Sequence, residues 1–239
     1  MVLISELLNL QYTKNITVAY YTEGPDHFDE WYALVKQKFP NIETIYCYEN
    51  KLTSLKCLDP IKLFCYDNQL VSLECPNAIQ IDCRRNKLTS LNCPNVKNVN
   101  CSENQLTNLE CPNATQIYCC KNQLVTLECP NVISLNCSDN NLLQLNVPKA
   151  MFLTCNNNQL VYLECPKANS IICYNNPDLE FINSESFKYL AYDGNCIIPE
   201  KLIGVVRIEN ANFIKMSLDE IMEGIMNIRQ KSTKSSRKI

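Results

Sequence analysis

Cysteine returns every 18 residues along most of this chain, at positions 47, 65, 83, 101, 119, 137, 155 and 173. No feature constrains the fold more. An asparagine follows three residues after each, at 50, 68, 86, 104, 122, 140, 158 and 176. Leucine lanes run in the same register through 52–160 and 55–163. A second cysteine lane runs 57, 75, 93, 111 and 129, passes through Val147, and resumes at Cys165. Proline follows that lane at 76, 94, 112, 130, 148 and 166. A fixed period of this length means that one short unit is stacked many times, each copy burying its apolar face against the next.

One unit, residues 78–95, reads AIQIDCRRNKLTSLNCPN. Its skeleton is A/V-x-x-I/L-x-C-x-x-N-x-L-x-x-L-x-C-P-N. The first eleven positions match the leucine-rich repeat core, with cysteine in the third leucine slot. The chain therefore resembles the leucine-rich repeat family over residues 42–185. The closest likeness is to short-repeat arrays, such as those of bacterial effectors and giant DNA viruses. The period is shorter than the usual 20–29 residues, so the return segment has no room for a helix. The resemblance implies an α/β repeat solenoid, a right-handed superhelix with a parallel, concave β-sheet and a helix-poor convex side. Weaker copies follow. Phe187, Leu190, Tyr192, Asn195 and Ile197 occupy the slots of a ninth repeat after one inserted residue. Ile203, Val206, Ile208 and Phe213 mark a degenerate tenth.

Period-2 alternation predicts a short strand around Ile81-Asp82-Cys83, with Ile81 and Cys83 inward and Asp82 outward. Each asparagine amide both donates and accepts, so it is expected to satisfy backbone groups of its own coil and the next. The cysteines read as small core side chains. Val147 supports this, because it keeps its repeat in register and can neither ligate metal nor form a disulfide. Zinc needs four converging Cys or His ligands. The cysteine lanes fall on different walls and His27 is the sole histidine, so no metal and no cofactor are expected. Sixteen cysteines without a recognisable signal segment point to reduced thiols in a cytoplasmic compartment, the host cytoplasm if the source is viral. Cys120 and Cys196 stand outside the lanes and are candidate accessible thiols. Lys121 beside Cys120 is thin support for a nucleophile, and no catalytic residue is assigned.

The flanks read as caps. Residues 1–41 give a strand over 16–21 and a helix over 25–39, whose start carries Pro25, Asp26, Asp29 and Glu30. The solenoid spans 42–214. A helix over 215–230 begins with the capping box Ser217 and Glu220, with Ile221, Ile225 and Ile228 on one face. Residues 231–239 form a basic tail expected to be disordered.

Lane positions hold the fold, so information sits in the outward slots. Tyr46, Tyr48, Phe64 and Tyr66 form an aromatic patch over two coils, with Arg84 and Arg85 beside it and Tyr118 further along. Tyr and Arg are the residue types of interface hot spots. The expected function is a non-catalytic scaffold, a monomer, binding a protein partner on the concave face. The alternative is an effector-like enzyme or a ubiquitin-ligase-related adaptor. Only about 25 cysteine-free residues follow the last repeat, which argues against a ligase domain. A net charge of −3 gives no global pull toward nucleic acid or anionic membrane, and no run of about 18 apolar residues spans a bilayer.

Overall fold

A computed structural model describes residues 40–192 apart from Asp59, Glu185 and Ser186, together with Gln37 and the strands Asn15–Thr17, Ile197–Pro199, Arg207–Glu209 and Ile214–Met216. Apart from Gln37, which is helical, both expected helices and the basic tail lie outside the described residues. Each 18-residue unit is one coil, with a three-residue strand on one wall and, except in the coil that contains Leu127, a second on the other.

The first wall is an eleven-stranded parallel sheet. It runs from Asn15–Thr17 through Thr44–Tyr46, Lys62–Phe64, Gln80–Asp82, Asn98–Asn100 and Gln116–Tyr118. It continues through Ser134–Asn136, Phe152–Thr154, Ser170–Ile172 and Tyr189–Ala191 to Arg207–Glu209. Pairing is in register from coil to coil, so Leu63 faces Ile81 and Ile81 faces Val99. The N-terminal strand was expected at 16–21; Asn15–Thr17 is what pairs with the first repeat. The second wall carries shorter parallel sheets. These pair Ser54–Lys56 with Ser72–Glu74, and Ser90–Asn92 with Asn108–Glu110. A third runs from Gln144–Asn146 through Tyr162–Glu164, Phe181–Asn183 and Ile197–Pro199 to Ile214–Met216. The return segment is thus a second strand ladder as well as a turn.

The core is the space between the walls. Around one coil, Ala78, Ile81, Cys83, Leu88, Leu91 and Cys93 all point inward and are essentially inaccessible. Stacked on their equivalents, they make six continuous ladders. The inserted residue of the ninth repeat falls after Asn176, where Pro177 and Asp178 bulge before Leu179 re-enters the core. The next pairing, Tyr162 with Phe181, is accordingly offset by one. Leu190 and Tyr192 then fill the isoleucine and cysteine slots. Leu190 faces Ile208, which sets the tenth repeat in register.

Two turns close each coil. At the first, the asparagine lane locks neighbouring coils together. Asn122 Nδ2 donates to Cys119 O and Cys120 O of its own coil at 3.0 and 3.3 Å, and to Cys101 O of the preceding coil at 3.0 Å. Its Oδ1 accepts the Leu106 amide, also in the preceding coil, at 2.9 Å. Asn68, Asn86, Asn104, Asn140, Asn158 and Asn176 repeat this set of contacts. The bridge therefore runs to the preceding coil and not to the next. The residue before each asparagine adopts a left-handed backbone, with φ between 53° and 56° from Glu49 to Asn175. This places the amide where it can reach both coils. The second turn is Cys-Pro-Asn-Ala/Val, closed by bonds such as Ala114 N to Cys111 O at 3.0 Å. Proline supplies the fixed φ that the second position of such a turn favours. Outside it, Asn77, Asn95, Asn113 and Asn131 form an exposed row, Asn131 Nδ2 donating to Pro112 O at 2.9 Å.

Burial separates the two asparagine rows energetically. Asn122→Ala leaves the Leu106 amide unsatisfied inside the stack and removes one of the two bonds to each of Cys101 O, Cys119 O and Cys120 O. It is expected to cost about 2–4 kcal/mol in urea unfolding, against under about 1 kcal/mol for Asn131→Ala, where water replaces the lost bond. Equal costs would show that the buried row does not hold the coils together.

Candidate interaction surface

The outer face of the main sheet is built from columns one coil apart, about 4.8 Å. One column follows the core isoleucine and runs Tyr46, Phe64, Asp82, Asn100, Tyr118, Asn136, Thr154 and Ile172. A second, two residues on, runs Tyr48, Tyr66, Arg84, Ser102, Cys120, Ser138, Asn156 and Tyr174. In-register pairing turns sequence neighbours 18 apart into stacked neighbours. Tyr46 stacks on Phe64 with centroids 4.9 Å apart and planes 8° from parallel. Tyr48 stacks on Tyr66 at 4.6 Å and 2°. The Arg84 guanidinium continues that column, 4.6 Å over the Tyr66 ring. Such a contact contributes about 0.5–1 kcal/mol when exposed. Asp82 holds Arg84 from the side at 3.5 Å. Burial pushes the Asp82 carboxyl up, against the downward pull of the Arg84 amide and charge.

Five of the seven candidate residues, Tyr46, Tyr48, Phe64, Tyr66 and Arg84, thus form one cluster. The other two stand apart. Arg85 occupies the left-handed corner position, where it pairs with Asp67 at 3.4 Å and Glu103 at 3.6 Å. Tyr118 is separated from Phe64 by Asp82 and Asn100 in its column, and its hydroxyl accepts a bond from Gln116 Nε2 at 2.9 Å. A further outward column, two residues before the first, was not singled out from sequence. It contains Lys62, Gln80, Asn98, Gln116, Ser134, Phe152 and Ser170. Period-2 alternation applied on both sides of the core isoleucine would have found it. Its Phe152 is 53% exposed, the most open aromatic side chain of the described face.

The lane cysteines are core side chains. All are buried reduced thiols, with Cys120 alone among the described cysteines partly accessible. Burial pushes the thiols of Cys75, Cys111 and Cys129 up to about 12, and those of Cys65, Cys83, Cys101 and Cys119 further. At Cys155 a hydrogen bond with Cys173 raises the thiol most, and burial adds in the same direction. Val147 occupies the second cysteine lane fully buried, its amide donating to Glu164 O at 2.8 Å as the amides of Cys57, Cys93 and Cys165 donate to their neighbouring coils. Among the described residues no three His, Cys, Asp or Glu side chains converge as metal ligands would.

Stacked coils, an in-register parallel ladder and a buried asparagine at each first turn define the leucine-rich repeat fold. Solved leucine-rich repeat structures share it. The APL1 leucine-rich repeat domain superposes with a TM-score of 0.58 at 16% identity, over 73% of this chain and 53% of that one. YopM from Yersinia enterocolitica superposes with a TM-score of 0.53 at 18% identity, over 75% of this chain and 50% of that one. The chain thus spans about half the length of each of these structures. No family model and no curated protein matches it by sequence.

Two outcomes test the reading of the cysteines. Cys129→Val is expected to cost less than about 1.5 kcal/mol, because the slot asks only for apolar volume. A collapse of folding would contradict packing as its role. The second is a pH dependence. Folded thiols titrate above their ordinary value of 9.0. Stability is therefore intact below that pH. As pH rises through it, the unfolded chain loses protons that the folded chain keeps, and each thiol withdraws about 1.4 kcal/mol per pH unit until its folded value is reached. The urea midpoint should fall steeply above about pH 9; a flat midpoint would mean that the thiols are accessible.

Proposed function

We propose that this chain is a non-catalytic scaffold that binds a partner protein on the outer face of its main sheet. The observation that carries the reading is the Tyr48–Tyr66–Arg84 column beside the Tyr46–Phe64 pair. Ordered aromatic rings and an arginine on an open face lose little side-chain entropy on docking, which is why such residues dominate interface energetics. The shared fold adds support, since solenoids present extended faces suited to large partners. The columns of buried thiols support a reducing, cytoplasmic setting. An enzymatic reading has less behind it, because the buried lane thiols are held protonated and a thiolate is the nucleophilic form.

The test is a triple replacement of Tyr48, Tyr66 and Arg84 by alanine, with affinity measured against a partner recovered by affinity purification from the natural host. Loss of binding by about tenfold or more is expected at such a cluster. Unchanged affinity, with the fold intact by circular dichroism, would overturn the assignment.

A further inference from the structure

The main sheet face changes character along its length. From strand Asn98–Asn100 to strand Ser170–Ile172, all three outward columns lack any Asp, Glu, Lys or Arg over five successive coils. Charges lie elsewhere. Glu103, Lys121 and Asp139 line the left-handed corner, and Glu74, Glu110 and Glu128 are exposed on the opposite wall. A stretch this long without charge, in a chain with 20% charged residues, offers a ligand no ion pair.

The floor of this stretch is polar and low. Ser102 and Ser138 are 7% exposed, and the Ser138 hydroxyl is buried without a hydrogen-bond partner. Asn100 and Asn136 each accept a bond from a main-chain amide two residues on, at 3.3 and 3.2 Å. Their amide nitrogens have no partner among the described residues and remain available as donors. At its C-terminal part, Phe152 stands exposed beside Met151, itself 40% exposed.

We infer that this face takes an uncharged, extended polypeptide segment of the partner, whose main-chain carbonyls meet the asparagine amides and whose apolar side chain covers Phe152. The inference rests on the scaffold reading above and adds a second contact region to it. A nucleic acid would need cations along its path, and this stretch has none.

The probe is a library of random linear peptides, selected on the immobilised full chain and resynthesised for titration. The selected peptides should be poor in charged residues, and their affinity should change by less than about twofold between about 50 and 500 mM NaCl, since no ion pair is there to be screened. Phe152→Ala and Asn136→Asp should each weaken binding by about tenfold; Glu110→Gln, on the opposite wall, should not. Both Phe152 and Glu110 are exposed, so their replacements leave the core intact. The inference falls if the peptides are charged and salt-sensitive, or if none is selected while a neutral oligosaccharide array gives ligands. It also falls, with the scaffold reading standing, if only the Tyr48/Tyr66/Arg84 triple variant abolishes binding. If only Glu110→Gln does so, both fall.

Discussion

One buried side chain per coil holds this molecule together. A coil with strands three residues long has too few main-chain bonds to close itself. It also leaves carbonyls and amides at its first turn with nothing in their own segment to pair with. The asparagine lane meets that deficit, each amide satisfying its own turn and the turn before it. An aspartate could accept but not donate, and a leucine could do neither. The left-handed residue preceding it belongs to the same arrangement. Asn157 and Asn175 suit that backbone readily, whereas Glu103 and Lys121 carry a Cβ penalty that the surrounding ladder overrides.

Interlocked turns set the width of the coil, and the width selects the core. Small cysteine, alanine and valine side chains share the buried interior with leucine and isoleucine. Thiols so placed are far from water and stay protonated, so their number speaks of packing and not of chemistry. With the interior committed to stacking, the outward columns are where one coil can differ from the next. The in-register sheet then turns single outward choices into columns. Tyr48, Tyr66 and Arg84 are 18 apart in sequence and touch in space for that reason alone.

Most of the fold was legible because periodicity names every inward position. The register of the ninth and tenth repeats followed from Leu190 and Ile208, and the inward cysteines followed from Val147. The direction of the asparagine bridge was not legible. An amide that both donates and accepts suits either neighbouring coil, and only the left-handed turn decides for the preceding one. The helix-free return was expected, but its second strand ladder was not, since three residues such as Ser90-Leu91-Asn92 carry little signal alone. On the face, identity and column membership predicted the aromatic cluster. Arg85, which the corner geometry ties to Asp67 and Glu103, and Tyr118, three coils from Phe64, lie outside that cluster. Phe152 stands in the slot before the core residue, whose other members, such as Gln116, Ser134 and Ser170, carry no aromatic signal.

The interlock can be tested at single backbone amides by native-state hydrogen exchange. The Leu106 amide donates to Asn122 Oδ1 of the following coil, and the Leu88 amide donates to Asn104 Oδ1. Both should exchange slowly in the unaltered chain. In Asn122→Ala, Leu106 should lose protection while Leu88 keeps it. Fast exchange at Leu106 in the unaltered chain, or no change on removing Asn122, would contradict the account of how these coils are joined.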